Sequence, residues 1–270
     1  MKPRLGCVPF LNAKPLVAWF SSGDEPSADV IFENPSLLGP MVSRGEVDAA
    51  IASSFFAIQD PTLKIAAGVS ISSRNAVESV RLFSKVPFSE IKSLALDSAS
   101  MTSNHLAQII LSDAYDNRPT CSPRKADLTA MLSEFDAAVL IGDKGMAASG
   151  ENLQVLDLGS AWKQTTGKPF VWAMWVGKAC LDEELASLLV RAKNFGVQEL
   201  SAIAAQAAQE MQMPYDVAFD YLSRAIDYDL TDEHLAGFEE FGKRCKQMGF
   251  VDRLSMPRVV GEASEKAKTS

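Results

Sequence analysis

Histidine and cysteine are scarce in this chain, with two histidines and four cysteines in 270 residues. Cys7, Cys121, Cys180 and Cys245 form no Cys-x-x-Cys pair and have no neighbouring histidine, and His105 and His234 lie far apart, so the inventory argues against a structural zinc site. Scattered thiols of this kind read as free, mostly buried cysteines in a reducing compartment. Long apolar runs are missing too. No stretch approaches the roughly 18 residues a membrane span needs, and the first residues carry no apolar signal core or small-residue cleavage site. The expectation is a cytoplasmic protein without membrane association. Basic runs are absent, and a net charge of −8 with a pI of about 4.9 repels nucleic acid and anionic membrane alike. No Gly-x-Gly-x-x-Gly, Walker loop, Gly-x-Ser-x-Gly or His-Glu-x-x-His occurs. Neither a cofactor nor a metal is expected, and no obligatory protein partner is evident.

What is present is an ordinary globular composition, 47% hydrophobic and 22% charged. A chain of 270 residues is long for one compact doubly wound unit, and two lobes of roughly 100–150 residues are the usual solution. Short apolar runs at 4–8, 29–33, 49–51, 64–69 and 77–83 read as strands, with helical patterns between several of them. Pro15 suits the first turn of one helix; Asn34, Pro35 and Ser36 open a second and Gly45 closes it. The pattern restarts with strands at 93–96, 137–141, 153–156 and 171–176 and an amphipathic helix over 104–115. From Leu181 onward three apolar stripes at helical spacing predict a helical segment, and the tail after Pro257 is polar.

This alternation predicts an α/β fold of two lobes. Residues 1–86 and 172–270 would form lobe I, carrying the C-terminal helices, and 87–171 lobe II. The chain would cross between them near 84–87 and 170–177, and such a double crossover makes a hinge cleft.

Ligands of open α/β sheets bind beyond the carboxyl ends of the strands. Asn12, Ser53 and Ser54, the loop 98–103, and Gly142 with Asp143 fall at such ends, and Ser79 falls near the inferred crossover. The loop is the most informative, because it joins a strand to a helix. Free N–H groups, the positive end of the helix dipole and the hydroxyls of Ser100, Thr102 and Ser103 would together hold a carboxylate. Simple helix capping accounts for the same residue types. Asn12 equally suits a turn, Ser53 and Ser54 a cap for a helix beginning at Phe55, and Asp143 an N-cap. His105 sits just inside a helix, and Trp162, Trp172 and Trp175 read as core packing. These residues alone imply an anion-binding cleft, whether of a binder or of a lyase.

Several segments in order add to this reading: Phe10-Leu11-Asn12-Ala13-Lys14-Pro15-Leu16, Gly45-Glu46-Val47-Asp48 with Ser53-Ser54, Ser70-Ile71-Ser72-Ser73, Val77-Glu78-Ser79-Val80, Ser98-Ala99-Ser100-Met101-Thr102-Ser103, Ile141-Gly142-Asp143, and Thr166-Gly167-Lys168-Pro169-Phe170-Val171. Together they resemble the chorismate dehydratases of the futalosine route to menaquinone. The set spans about residues 6–175, and the C-terminal third adds little. One departure stands out: Arg74-Asn75-Ala76-Val77 occupies the place where the family usually has Asp-Gly-Pro-Val.

The resemblance implies a fold like the type 2 periplasmic binding proteins. It implies a cofactor-independent lyase that dehydrates chorismate, a small dianion, to 3-[(1-carboxyvinyl)oxy]benzoate. Asn12 and Ser79 would be catalytic, and Ser53, Ser54, Ser100, Met101, Thr102, Ser103 and Gly142 would bind substrate. A non-catalytic solute-binding protein of the same fold is the alternative.

Overall fold

Apolar runs punctuated by proline and glycine lay down the first half of the computed structural model, which describes residues 2–22 and 27–261. Strand β1 (Arg4–Cys7) runs through a 3-10 turn at Leu11–Ala13 into the short helix α1 (Lys14–Val17). Strand β2 (Asp29–Phe32) precedes α2 (Pro35–Arg44), which begins on proline and ends on Gly45 in the left-handed conformation. Then come β3 (Ala49–Ser53), α3 (Ser54–Ala57), β4 (Lys64–Ser73) and β5 (Arg81–Ser84). The chain continues with β6 (Ser93–Asp97), α4 (Thr102–Tyr115), β7 (Thr120–Arg124), α5 (Leu128–Glu134), β8 (Ala137–Leu140), α6 (Gly142–Ala147), β9 (Gln154–Asp157) and α7 (Leu158–Thr166). Strand β10 (Phe170–Gly177) leads to α8 (Glu183–Gln198), α9 (Leu200–Glu210), α10 (Tyr215–Asp220), a wide π turn at Tyr221–Ala225, α11 (Asp232–Gln247) and β11 (Arg258–Val260).

The strands form two sheets. One runs β11-β4-β10-β3-β1-β2 and the other β7-β6-β8-β5-β9. Strand β1 pairs in parallel with β2 and β3, and β6 with β7 and β8, while β10 and β5 run antiparallel to their neighbours. All five residues of β3 and all four of β8 are buried, which explains why both read as unbroken apolar runs.

The sheets divide the chain elsewhere than the sequence suggests. The stretch 77–83 is not one strand, because Glu78 has a φ of +63° and cannot sit in a ladder. The Asp157 carboxylate instead takes the backbone N–H groups of Val77 and Glu78. Strand β5 therefore starts at Arg81 and joins the second sheet, so the first passage between lobes is 74–80 and not 84–87. The second passage is 167–169, since β10 belongs wholly to the first sheet. Past Pro257 the chain forms β11 beside β4 where only a polar tail was expected, and 262–270 lie outside the described residues. Strand β7 was also unanticipated; Pro123 sits within it, tolerable because β7 is an edge strand.

The C-terminal helices pack on the first lobe as their stripes predict. Leu185, Leu189 and Ala192 of α8 and Phe238, Phe241 and Cys245 of α11 are buried. Among the described residues no helix is long and apolar enough to cross a membrane.

Candidate active site

A cleft of about 600 Å³, counting its open mouth, lies between the sheets. It is built from chain ends. The turn after β1 gives Val8, Phe10 and Asn12; the end of β3 gives Ser53; the passage after β4 gives Val77, Ser79 and Val80. Across from these, the loop from β6 into α4 gives Ala99 to Ser103, and the step from β8 into α6 gives Ile141 and Gly142. Trp172 and Ala173 of β10 also line it. The carboxyl ends of β1, β3, β6 and β8 thus converge on one space, where open parallel sheets place their ligands.

The polar face is made of neutral donors and acceptors. Among the described residues, none of those lining the cleft is Asp, Glu, His, Lys or Arg. Helix α4 begins at Thr102 and runs for 14 residues, so the positive end of its dipole meets the cleft at Met101 and Thr102. Part of this loop serves the helix itself: Ser100, one residue before the cap position Met101, accepts the Ser103 N–H on its Oγ at 3.2 Å. Thr102 Oγ1 accepts the Phe55 N–H at 3.2 Å and so ties α4 to α3 of the other lobe. Asp97 behind the loop accepts the N–H groups of Ala99 and Ile141, although burial raises its carboxyl above the ordinary aspartate value.

Ser79 is buried, with its N–H turned back on the Val77 carbonyl at 2.7 Å. Its hydroxyl accepts a hydrogen bond of 2.8 Å from the Tyr221 phenol, which is itself 1% exposed. Asn12 Oδ1 is buried without a protein partner. Asn12 and Ser79, distant in sequence, are brought together in the cleft lining, and Ser79 is held by a tyrosine from the C-terminal segment.

Ser53 lines the cleft and also caps α3 by accepting the Phe56 N–H at 3.1 Å. Ser54 does not reach the cleft: it is fully buried and donates to the Val171 carbonyl at 2.5 Å. Gly142 has a φ of +59°, and a Cβ there would press on the Phe10 ring at 3.3 Å. Asp143 is not the N-cap of α6. The cap position is Ile141, and Asp143 instead accepts the Leu11 N–H from the other lobe. His105 is held in structure rather than in the cleft, stacked on Phe55 at 3.6 Å between ring centroids, with Nδ1 2.8 Å from the Met101 carbonyl. Burial lowers its pKa and favours the neutral ring.

Sequence reasoning missed the apolar walls and Tyr221. Phe10, Ile51, Ile71, Val77, Ile141 and Trp172 present apolar surface to the cleft. Trp172 is oriented by its Nε1–H, which donates to Ser73 Oγ at 3.0 Å. Two of the three tryptophans read as core, Trp162 and Trp175, are indeed fully buried, whereas Trp172 is both core and wall. Such a lining combines apolar walls with hydroxyls and helix-end amides, suited to a partly apolar molecule that bears oxygens.

Comparison with known proteins bears on the family and the fold. Residues 3–247 match a family described as menaquinone biosynthesis. A chorismate dehydratase from Thermus thermophilus is 27% identical over 234 residues, covering 79% of this chain and 85% of that protein. Among solved structures, a protein from Archaeoglobus fulgidus superposes with a TM-score of 0.72 at 15% identity, covering 92% of this chain and 98% of the other. The periplasmic aliphatic sulphonate binding protein of Escherichia coli gives a TM-score of 0.65 at 13% identity, with 99% and 96% covered. At these identities the structures establish the two-lobed periplasmic-binding-protein fold.

Proposed function

This chain belongs to the menaquinone-biosynthesis family, and from that premise we propose that it dehydrates chorismate to 3-[(1-carboxyvinyl)oxy]benzoate. The observation that carries the reading is the meeting of Asn12 and Ser79 in one cleft with the amino end of α4, without an ionisable side chain in the lining.

Chorismate bears two carboxylates, a ring hydroxyl and an enolpyruvyl ether. One ring C–H bond and the ring C–O bond to the hydroxyl break, water leaves, and the ring becomes aromatic. Aromatisation supplies much of the driving force, so the protein's task is positioning and assistance to the leaving group. One carboxylate is held by the α4 end, through N–H groups and the hydroxyls of Thr102 and Ser103, with Ser53 beside them. Hydrogen bonds to a charged group contribute about 1.5–3 kcal/mol each, so a few neutral donors offset the adverse net charge. Asn12 and Ser79 face the departing hydroxyl. Ser79 donates to it, and Asn12 orients it through its otherwise unpartnered Oδ1. No lining side chain is a base, so the enolpyruvyl carboxylate of the substrate takes the ring proton. Met101 and Gly142 contact the substrate by shape, while Ser54 acts only through the backbone it anchors.

The test is incubation of the purified protein with chorismate, read by the new aromatic absorbance and by product mass. Product formation, with turnover falling at least tenfold in Asn12→Ala and Ser79→Ala, is expected. Chorismate recovered unchanged, although bound, would make the chain a solute-binding protein of this fold.

A further inference from the structure

Tyr221 comes from a part of the chain that the sequence motifs do not reach, the π turn between α10 and α11. Its phenol is buried, yet it does not line the cleft. It donates to Ser79 Oγ at 2.8 Å, and a serine hydroxyl carries one proton and two lone pairs. With one lone pair occupied by the Tyr221 proton, the Ser79 proton is free to turn toward the cleft that Ser79 lines. A hydroxyl that accepts one hydrogen bond is polarised into a better donor for the next. The hydrogen-bonded path therefore runs Tyr221, Ser79, ligand. Burial, the largest influence, raises the Tyr221 phenol well above the ordinary tyrosine value. The phenol therefore stays protonated throughout the working pH range.

We infer that Tyr221 is a positioning residue, fixing the Ser79 hydroxyl as a donor into the cleft. The inference rests on the dehydratase reading, in which Ser79 donates to the departing oxygen. It assigns a share of catalysis to the C-terminal segment, which otherwise reads as packing for the first lobe.

The test is a double-mutant cycle with Tyr221→Phe and Ser79→Ala, measured in full-length protein with chorismate. Tyr221→Phe alone is expected to lower kcat about tenfold, the loss of about one neutral hydrogen bond, with KM changed less than about twofold. In the Ser79→Ala background the same change is expected to cost less than about twofold, because the group it positions is gone. Equal losses in the two backgrounds, or none in either, overturn the inference, since a merely structural tyrosine would cost the same with or without Ser79. If Tyr221→Phe does not fold, wild-type and Ser79→Ala proteins carrying carbon-13 at the tyrosine Cζ serve instead. The Tyr221 signal is expected to move on Ser79→Ala and on chorismate addition, and a stationary signal overturns the inference. A wild-type protein that binds chorismate without turnover removes the dehydratase reading, and the same cycle in binding affinity then decides the role of Tyr221. No binding at all removes both.

Discussion

Leu11 donates its backbone N–H to the carboxylate of Asp143 at 3.2 Å, linking the turn that carries Asn12 to the helix that opens with Gly142. The two residues belong to different lobes, so this bond straps the cleft. Burial raises the Asp143 carboxyl, while the Leu11 N–H and the charge of Lys14 only partly oppose the rise. A carboxyl raised in the folded state contributes stability below the ordinary aspartate value of about 3.9, and that contribution is lost as pH climbs through the raised value. At neutral pH the ionised group is therefore a cost.

Asp143→Asn keeps an acceptor for Leu11 and removes the charge. Its thermal midpoint at pH 7 is expected to equal or exceed that of the parent, with the difference shrinking as the pH is lowered toward about 4. Asp143→Ala leaves the Leu11 N–H unpaired and is expected to cost about 1–3 kcal/mol. Thermal unfolding at the two pH values checks both. Equal damage from the two substitutions would discard the strap.

Gly145 offers a second handle. A Cβ at this position would overlap the carbonyl oxygens of Ser79 and Leu140, both backbone atoms that cannot swing aside. Arg81 holds the same helix from its far end, donating to the carbonyls of Gly145, Met146 and Ala148. Gly145→Ala should push α6 away from the passage at 74–80. The expected cost is about 1–3 kcal/mol of stability, together with loss of turnover. A variant with parental turnover would show that α6 does not set the position of Ser79.

The location of the cleft was legible in the sequence because it follows from chain direction. Asn12, Ser53, Thr102 and Gly142 all sit where a buried parallel strand ends in polar or small residues, and such ends converge. Its walls were not legible. Ile71, Val77 and Trp172 carry the same apolar signal whether they face a core or a ligand, and only the third dimension separates the two. Tyr221 was hidden likewise, one member of a helical stripe with Ala218, Leu222 and Ala225, all buried. The lobe boundary was misplaced because Val77 and Val80 flank Glu78 in a strand-like alternation. The Asp157 carboxylate, nearly eighty residues later, takes up the backbone groups that a ladder would otherwise need.

Arg74, the residue that departs from the family pattern, ends up in an ion-pair cluster. Its guanidinium donates to Asp227 and to Glu233, each at 2.6 Å, and His234 Nε2 lies 3.2 Å from the same Asp227 carboxylate. Burial pushes the Asp227 carboxyl up, but His234, the Asp229 N–H and Arg74 together hold it well below the usual aspartate range. A carboxylate depressed in the folded state contributes stability above about pH 4, and the contribution is lost as pH falls through the folded value. Asp227→Asn is therefore expected to destabilise at pH 7 and to flatten the loss of thermal midpoint below about pH 4. Arg74 is itself 41% exposed on its side chain, so Arg74→Ala is expected to cost no more than about 1 kcal/mol, or roughly 2 °C. Thermal unfolding across the acid range reads both. An unchanged acid limb in Asp227→Asn would refute the assignment.

Salt offers the most direct check on how the cleft holds an anion. A site lined by arginine or lysine loses affinity as salt screens the attraction. Here the lining carries no such residue among those described, and the whole chain carries a net charge of −8. The long-range field therefore opposes a dianion, and the attraction comes from short hydrogen bonds and the end of α4, which salt screens little. Raising the salt relaxes the repulsion more than it weakens the grip. Chorismate affinity, measured by calorimetry from about 20 to about 500 mM sodium chloride, is expected to hold within about threefold and to drift upward. A tenfold loss over that range would mean that a cation outside the lining reaches the ligand, and the neutral-donor account of the site would fall.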